Sequence, residues 1–123
     1  MPHGIEWIVD ATGCPPAHLR DRDRLERLFE RIVEELDLHP VGRPAWHRFP
    51  DAGGLTGFWM LQESHLAVHT FPEFGSLCVN LFCCRPRRAW EWEARLAQWL
   101  GARRVSVRSF ERDHGPDARE ESA

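Results

Sequence analysis

An α+β fold, a two-layer sandwich with a mostly antiparallel sheet and two helices on one face, is predicted by three observations. Several stretches alternate apolar and polar residues with period two, as half-buried strands do. Two stretches instead repeat apolar residues at i, i+3 and i+4, as amphipathic helices do. Short turn signals join successive strand-like runs, which suits antiparallel neighbours. The implied order is β-α-β-β-β-α-β, with about five strands.

The first strand is "HGIEWIVDAT", where Ile5, Trp7, Val9 and Ala11 alternate against Glu6, Ile8 and Asp10. "TGCPP" breaks it. From Asp21, "DRDRLERLFERIVEELDLHPVG" puts Leu25, Leu28, Phe29, Ile32, Val33 and Leu36 on one helical face, ending near His39-Pro40. "AWHRF" reads as a short strand and "PDAGG" as a turn. "LTGFWMLQ" and "HLAVHTF" follow with no breaker between them, and "PEFG" turns the chain. "LCVNLFCC" is a nearly continuous apolar strand. Pro86 is expected to open a second helix, "PRRAWEWEARLAQWLG", carrying Ala89, Trp92, Leu96, Trp99 and Leu100 on one side and stopping at Gly101. "RRVSVRSF" is the last strand. Residues 1–112 then form one domain, and 113–123, polar throughout, a flexible tail.

Composition excludes several classes. The 123 residues are 42% hydrophobic and 28% charged, enough for a core in a single domain. A net charge of −3 leaves no basic footprint for nucleic acid. No apolar run reaches the roughly 18 residues of a membrane span, and the N-terminus lacks a charged-then-apolar signal layout, so a cytoplasmic location is expected. The four cysteines, Cys14, Cys78, Cys83 and Cys84, form no C-x-x-C pair, so neither a zinc knuckle nor a disulfide framework is indicated. Six tryptophans are many for a small lone domain, and two helices cover only one sheet face; a homodimer is expected.

The chemistry concentrates in "QESHLAVHTFPEFG", residues 62–75. His65 and His69 on a strand stand roughly 13 Å apart at about 3.3 Å per residue, too far to share a metal ion. Ser64 and His65 point to opposite faces and cannot form a nucleophile–base pair, and no G-x-S-x-G elbow exists. Ser64 shares a face with Leu66, Val68 and Thr70, while His65, Ala67 and His69 share the other. Two readings of Ser64 stay open on parity alone: an edge-strand hydroxyl, or a group brought to His69 by a bulge at Glu63-Ser64.

"GLTGFWMLQESHLAVHTFPEFG" followed by "CVNLFCC" resembles the prokaryotic S-adenosylmethionine decarboxylase proenzymes. Their pattern is a G-[VL]-[ST]-G strand, an E-S-H-[IL]-x-[IV]-H-T-[WY]-P-E segment and a strand ending F-T-C-G. The similarity covers residues 43 to 84 clearly and the flanking strands and second helix loosely. The resemblance implies self-cleavage between Glu63 and Ser64 into a β chain, 1–63, and an α chain, 64–123. By the same resemblance, Ser64 Oγ attacks the Glu63 carbonyl, β-elimination of the resulting ester leaves dehydroalanine, and hydrolysis of that with loss of ammonia gives a pyruvoyl group derived from Ser64. That group holds the substrate amine as a Schiff base and accepts electrons as CO₂ leaves, with no metal. His69 is implied to transfer protons in processing, and Thr56 to stabilise the shifted carbonyl. Cys84 is the implied proton donor, with Cys83 as a packing residue. Glu73 is implied to bind the ribose hydroxyls, and Phe49 and Phe71 are candidates to stack on adenine. His65 is read as structural, and His47 and Arg48 carry no role. Family members are dimers with the site near the subunit interface. Here Thr56 replaces a serine, Phe71 a Trp or Tyr, Asn80 an aspartate and Arg85 a glycine. The alternative substrates are L-ornithine or L-arginine, and the alternative class is a non-processing regulatory paralogue.

Overall fold

The computed structural model describes residues 3–115. Within them, β1 (His3–Thr12) leads into a one-turn helix α1 (Pro16–Leu19) and the long helix α2 (Arg22–Glu35). Strands β2 (Ala45–Arg48), β3 (Leu55–Leu61), β4 (Ser64–Phe71) and β5 (Ser76–Cys83) follow, then α3 (Trp92–Leu100) and β6 (Arg104–Asp113). All six strands join one sheet in the order β2-β3-β4-β5-β1-β6, every pair antiparallel.

The period-two faces sort as alternation demands. Trp7, Val9 and Ala11 of β1, Leu66, Val68 and Thr70 of β4, and Leu77, Val79 and Leu81 of β5 are buried toward the helices. Helix α2 presents Leu25, Leu28, Phe29, Ile32 and Val33 to them. Phe29 stacks on Trp46 and Trp59, with ring centroids 5.2 and 6.4 Å away, which fastens α2 over β2 and β3. The Asp21 carboxylate caps α2 by accepting from Arg24 N–H. The helix ends earlier than His39-Pro40, because Asp37 turns the chain at φ 53° and Leu38 N–H reaches back to the Val33 carbonyl.

The structure corrects two further expectations and adds a helical turn. "TGCPP" does break β1, but the chain then winds a single turn with proline at its start and Leu19 wholly buried. Pro86 does not open a helix: α3 starts at Trp92. Trp90 and Trp92 are both buried and meet edge to face at 5.0 Å. Residues two apart on a helix point away from each other, so burying both requires a non-helical approach. Glu35 secures that approach by accepting from Trp90 Nε1 and Arg95 Nη2, both at 2.9 Å. Finally, β6 runs through Asp113, so the ordered fold passes residue 112, and His114 packs edge-on against Phe82. Residues 116–123 of the expected tail lie outside the described residues.

Gly57 of the "LTG" strand lies beneath the Trp46 ring, too close for any Cβ. Gly57→Ala is expected to cost about 1–3 kcal/mol by overpacking and to lower the melting temperature by several degrees. An unchanged thermal transition would contradict this packing.

Candidate functional site

Strand β4 carries two clusters, one at each end. The unbroken run between β3 and β4 resolves into a two-residue turn, Gln62–Glu63, with Leu61 paired to Ser64. Ser64 therefore opens β4, partly exposed at the rim of the sheet and directly opposite Cys83. Burial pushes the Cys83 thiol up, and a hydrogen bond from the Ser64 side chain opposes that rise. One step further along, the backbone N–H of Cys84 donates to the Glu63 carbonyl at 2.7 Å. That carbonyl belongs to the Glu63–Ser64 peptide bond. The Cys84 carbonyl is in turn 2.9 Å from His114 Nε2. The Glu63 carboxylate pairs with Arg85.

At the other end, Thr56 of β3 faces His69 of β4 in register, with Oγ1 3.0 Å from Nδ1. Beside this pair lies a cavity of about 290 Å³. Phe49, Phe71 and Glu73 all line it, together with Asp51 and Thr70. Its floor is fixed because Thr70 Oγ1 donates to the Leu19 carbonyl and accepts from Leu55 N–H. The three expected binding residues thus share one hollow, two aromatic walls with a carboxylate. A larger cavity of about 530 Å³ at the α3–β6 junction holds none of the candidate residues.

The bulge that would carry Ser64 to His69 is absent. Strand β4 pairs in unbroken register with both neighbours from Ser64 to His69. Five residues of strand separate the two Cα atoms by roughly 16 Å. One chain brings Glu63, Ser64, Cys83 and Cys84 together, and separately brings Thr56, His69, Phe49, Phe71 and Glu73 together. It does not unite the two sets.

The sheet face opposite the helices is largely uncovered. Phe58, Met60 and Phe110 on it are 45%, 54% and 48% exposed. Across its middle, His65 Nε2 lies 2.8 Å from Asn80 Oδ1, and Asn80 Nδ2 donates to Glu6, whose other oxygen pairs with Arg112. The Asn80 bond first, then the Arg112 guanidinium, hold the Glu6 carboxyl below the usual carboxylate range despite partial burial. Asn80, where the resembled pattern has aspartate, is therefore the centre of a hydrogen-bond chain flanked by the stacked rings of Phe58, His65 and Phe82. Sequence reasoning missed Glu6, Asp51, Arg112 and His114. Only Arg85 and Asn80 carried a signal, as departures from the pattern. Among the described residues no group of three His, Cys, Asp or Glu side chains is arranged to hold a metal, and no helix is long and apolar enough to cross a membrane.

The fold and these clusters define an α+β protein with candidate groups gathered at the two ends of β4 in an antiparallel sheet open on one face. The chain belongs to the S-adenosylmethionine decarboxylase family, whose sequence profile matches residues 5–113. It is 42% identical over 114 residues to the S-adenosylmethionine decarboxylase proenzyme of Prochlorococcus marinus, covering 89% of this chain and 87% of that one. It is 31% identical over 110 residues to the corresponding proenzyme of Carboxydothermus hydrogenoformans, covering 89% and 85%. The adenosylmethionine decarboxylase crystal structure from Aquifex aeolicus superposes with a TM-score of 0.73 over 93% of each chain, at 21% identity, and so matches in fold.

Proposed function

We propose that this chain is a self-processing, pyruvoyl-dependent S-adenosylmethionine decarboxylase. Its product, decarboxylated S-adenosylmethionine, would serve spermidine synthesis in the cytoplasm. The observation that carries the reading is the 2.7 Å bond from Cys84 N–H to the carbonyl of the Glu63–Ser64 peptide. A donor on that oxygen draws electrons from the carbonyl carbon and favours attack by the adjacent Ser64 hydroxyl. The attack exchanges the C–N bond for a C–O bond, and the hydroxyl proton passes to the Ser64 nitrogen. Removal of the Ser64 Cα proton then expels the Glu63 carboxylate. Addition of one water and loss of ammonia leave the pyruvoyl group. Serine fits this role because its oxygen is first nucleophile and then leaving group. The pyruvoyl group supplies the electron sink for CO₂ loss.

The second half-site supports a homodimer. A base that removes the Ser64 Cα proton must come within hydrogen-bonding reach, and the chain's own His69 is too far. A second copy packed against the open sheet face, with its strands antiparallel to the first, lays its Thr56–His69 end over the Ser64 end of the first. The two-fold axis does this twice. The same packing would cover Phe58, Met60 and Phe110 and bring the cavity of Phe49, Phe71 and Glu73 to the partner's residue 64. Aromatic walls suit adenine, and Glu73 suits the ribose hydroxyls.

Cys84 is assigned to return a proton to the substrate carbon after CO₂ leaves, a general-acid role that a thiol can fill. Cys84→Ala is expected to cleave normally yet lose about 10²–10⁴ in kcat. Unchanged turnover would remove its role. A second reading, decarboxylation of ornithine or arginine, draws on Asp51 beside Glu73, two carboxylates in one cavity. Release of ¹⁴CO₂ from carboxyl-labelled S-adenosylmethionine, ornithine and arginine in parallel decides between them. Activity on only an amino acid would overturn the nucleoside reading.

A further inference from the structure

We propose that Arg85 is a positioning residue for self-cleavage, clamping the residue whose carbonyl is attacked. This rests on the self-processing reading above. Arg85 Nε and Nη2 engage the two carboxylate oxygens of Glu63 separately, at 2.8 and 3.2 Å. That two-pronged contact fixes direction as well as distance, which a lysine's single ammonium does not. The preceding residue, Cys84, donates its backbone N–H to the carbonyl oxygen of the same Glu63 at 2.7 Å. Two consecutive residues therefore hold Glu63 at three points, two on its side chain and one on its backbone.

The turn gives this clamp work to do. Gln62 and Glu63 connect β3 to β4 without the glycine or asparagine that usually sets a two-residue hairpin, and neither has a positive φ. The carbonyl orientation at residue 63 is thus held by outside partners, the Cys84 N–H and the Arg85 guanidinium. When Ser64 Oγ bonds to the Glu63 carbonyl carbon, charge gathers on the oxygen facing Cys84 N–H. A Glu63 anchored through its side chain keeps that oxygen on its donor while the C–N bond breaks and the proton moves to nitrogen. After cleavage the same guanidinium retains the new C-terminus of the 1–63 chain.

The contact is exposed on both sides, with the Arg85 side chain 67% and the Glu63 side chain 47% accessible, so a moderate and salt-sensitive effect is expected. The test follows cleavage by intact mass after cell-free synthesis of wild type, Arg85→Gly, Arg85→Lys, Glu63→Gln and the Arg85→Gly/Glu63→Gln double variant. At low ionic strength Arg85→Gly should slow cleavage by about threefold to tenfold and Arg85→Lys by less. Glu63→Gln should match Arg85→Gly, the double variant should be no slower than either, and the differences should shrink in molar salt. Each substitution in a Ser64→Ala background should leave the melting temperature unchanged, which a merely structural role would not. Wild-type rates in Arg85→Gly, or additive slowing in the double variant, would overturn the clamp. A wild-type chain that stays uncut would instead overturn the self-processing reading itself.

Discussion

A Ser64→Ala chain is expected to persist as one 14.3 kDa species, whereas the wild-type chain should resolve into two fragments divided between residues 63 and 64. The effect is complete because alanine retains neither the nucleophile nor the leaving group. The carbonyl of residue 63 stays polarised by Cys84 N–H but has no attacker within the chain. Nothing else in the fold should change, since Ser64 stands at the rim of the sheet and its backbone pairing with Leu61 and Cys83 does not need the hydroxyl. Far-UV circular dichroism and the melting temperature should therefore match those of an uncut wild-type precursor. Intact mass and decarboxylase activity read the outcome together: no fragments and no CO₂. Fragments of any size from Ser64→Ala would refute the assigned bond, and an uncut wild-type chain would revive a regulatory, non-processing role.

The second large effect separates a composite site from a self-contained one. His69→Ala alone should slow cleavage by about 10²–10⁴, the usual worth of a positioned proton-transfer group. Ser64→Ala alone should not cleave. Co-expressed with distinct tags, the two variants should restore cleavage, and only in the chain bearing His69→Ala. In a mixed dimer that chain keeps its Ser64 and meets the intact His69 and Thr56 of its partner, while the other composite site lacks both Ser64 and His69. The roughly 16 Å of regular strand between Ser64 and His69 is the reason to expect this. If co-expression leaves both chains as slow as they are alone, residues of one chain must complete the site, and β4 must depart from its regular pairing. Sedimentation of the Ser64→Ala chain should give a dimer, since Phe58, Met60 and Phe110 otherwise remain in water.

Much of the fold was legible because periodicity reports burial. In β1 and β4 the alternation separates the two faces as the sheet does, down to Thr70, and the long i, i+3, i+4 run of α2 marks its buried stripe. The turn at Gln62–Glu63 was not legible, since neither residue carries turn chemistry; pairing of β3 with β4 and of Cys84 with Glu63 makes it. The start of α3 is not legible because Ala89 and Trp92 fit the apolar stripe of the helix that follows, while the burial of Trp90 beside Trp92 and its bond to Glu35 appear only in the folded chain. Phe49, Phe71 and Glu73 were named as separate candidates; a shared cavity appears only once β2, β3 and β4 are neighbours.

By itself, then, the sequence determined the fold class, the family and the bond to examine, since strand and helix periods and a dense run of reactive letters are local properties. Tertiary structure decided which of those letters meet. It set Cys84 N–H on the Glu63 carbonyl, gave Arg85 a partner twenty-two residues away, and stretched Ser64 from His69 along a straight strand. The physical reason is that a β-strand converts sequence proximity into distance, about 3.3 Å for every residue, while sheet pairing brings together residues that the chain keeps far apart.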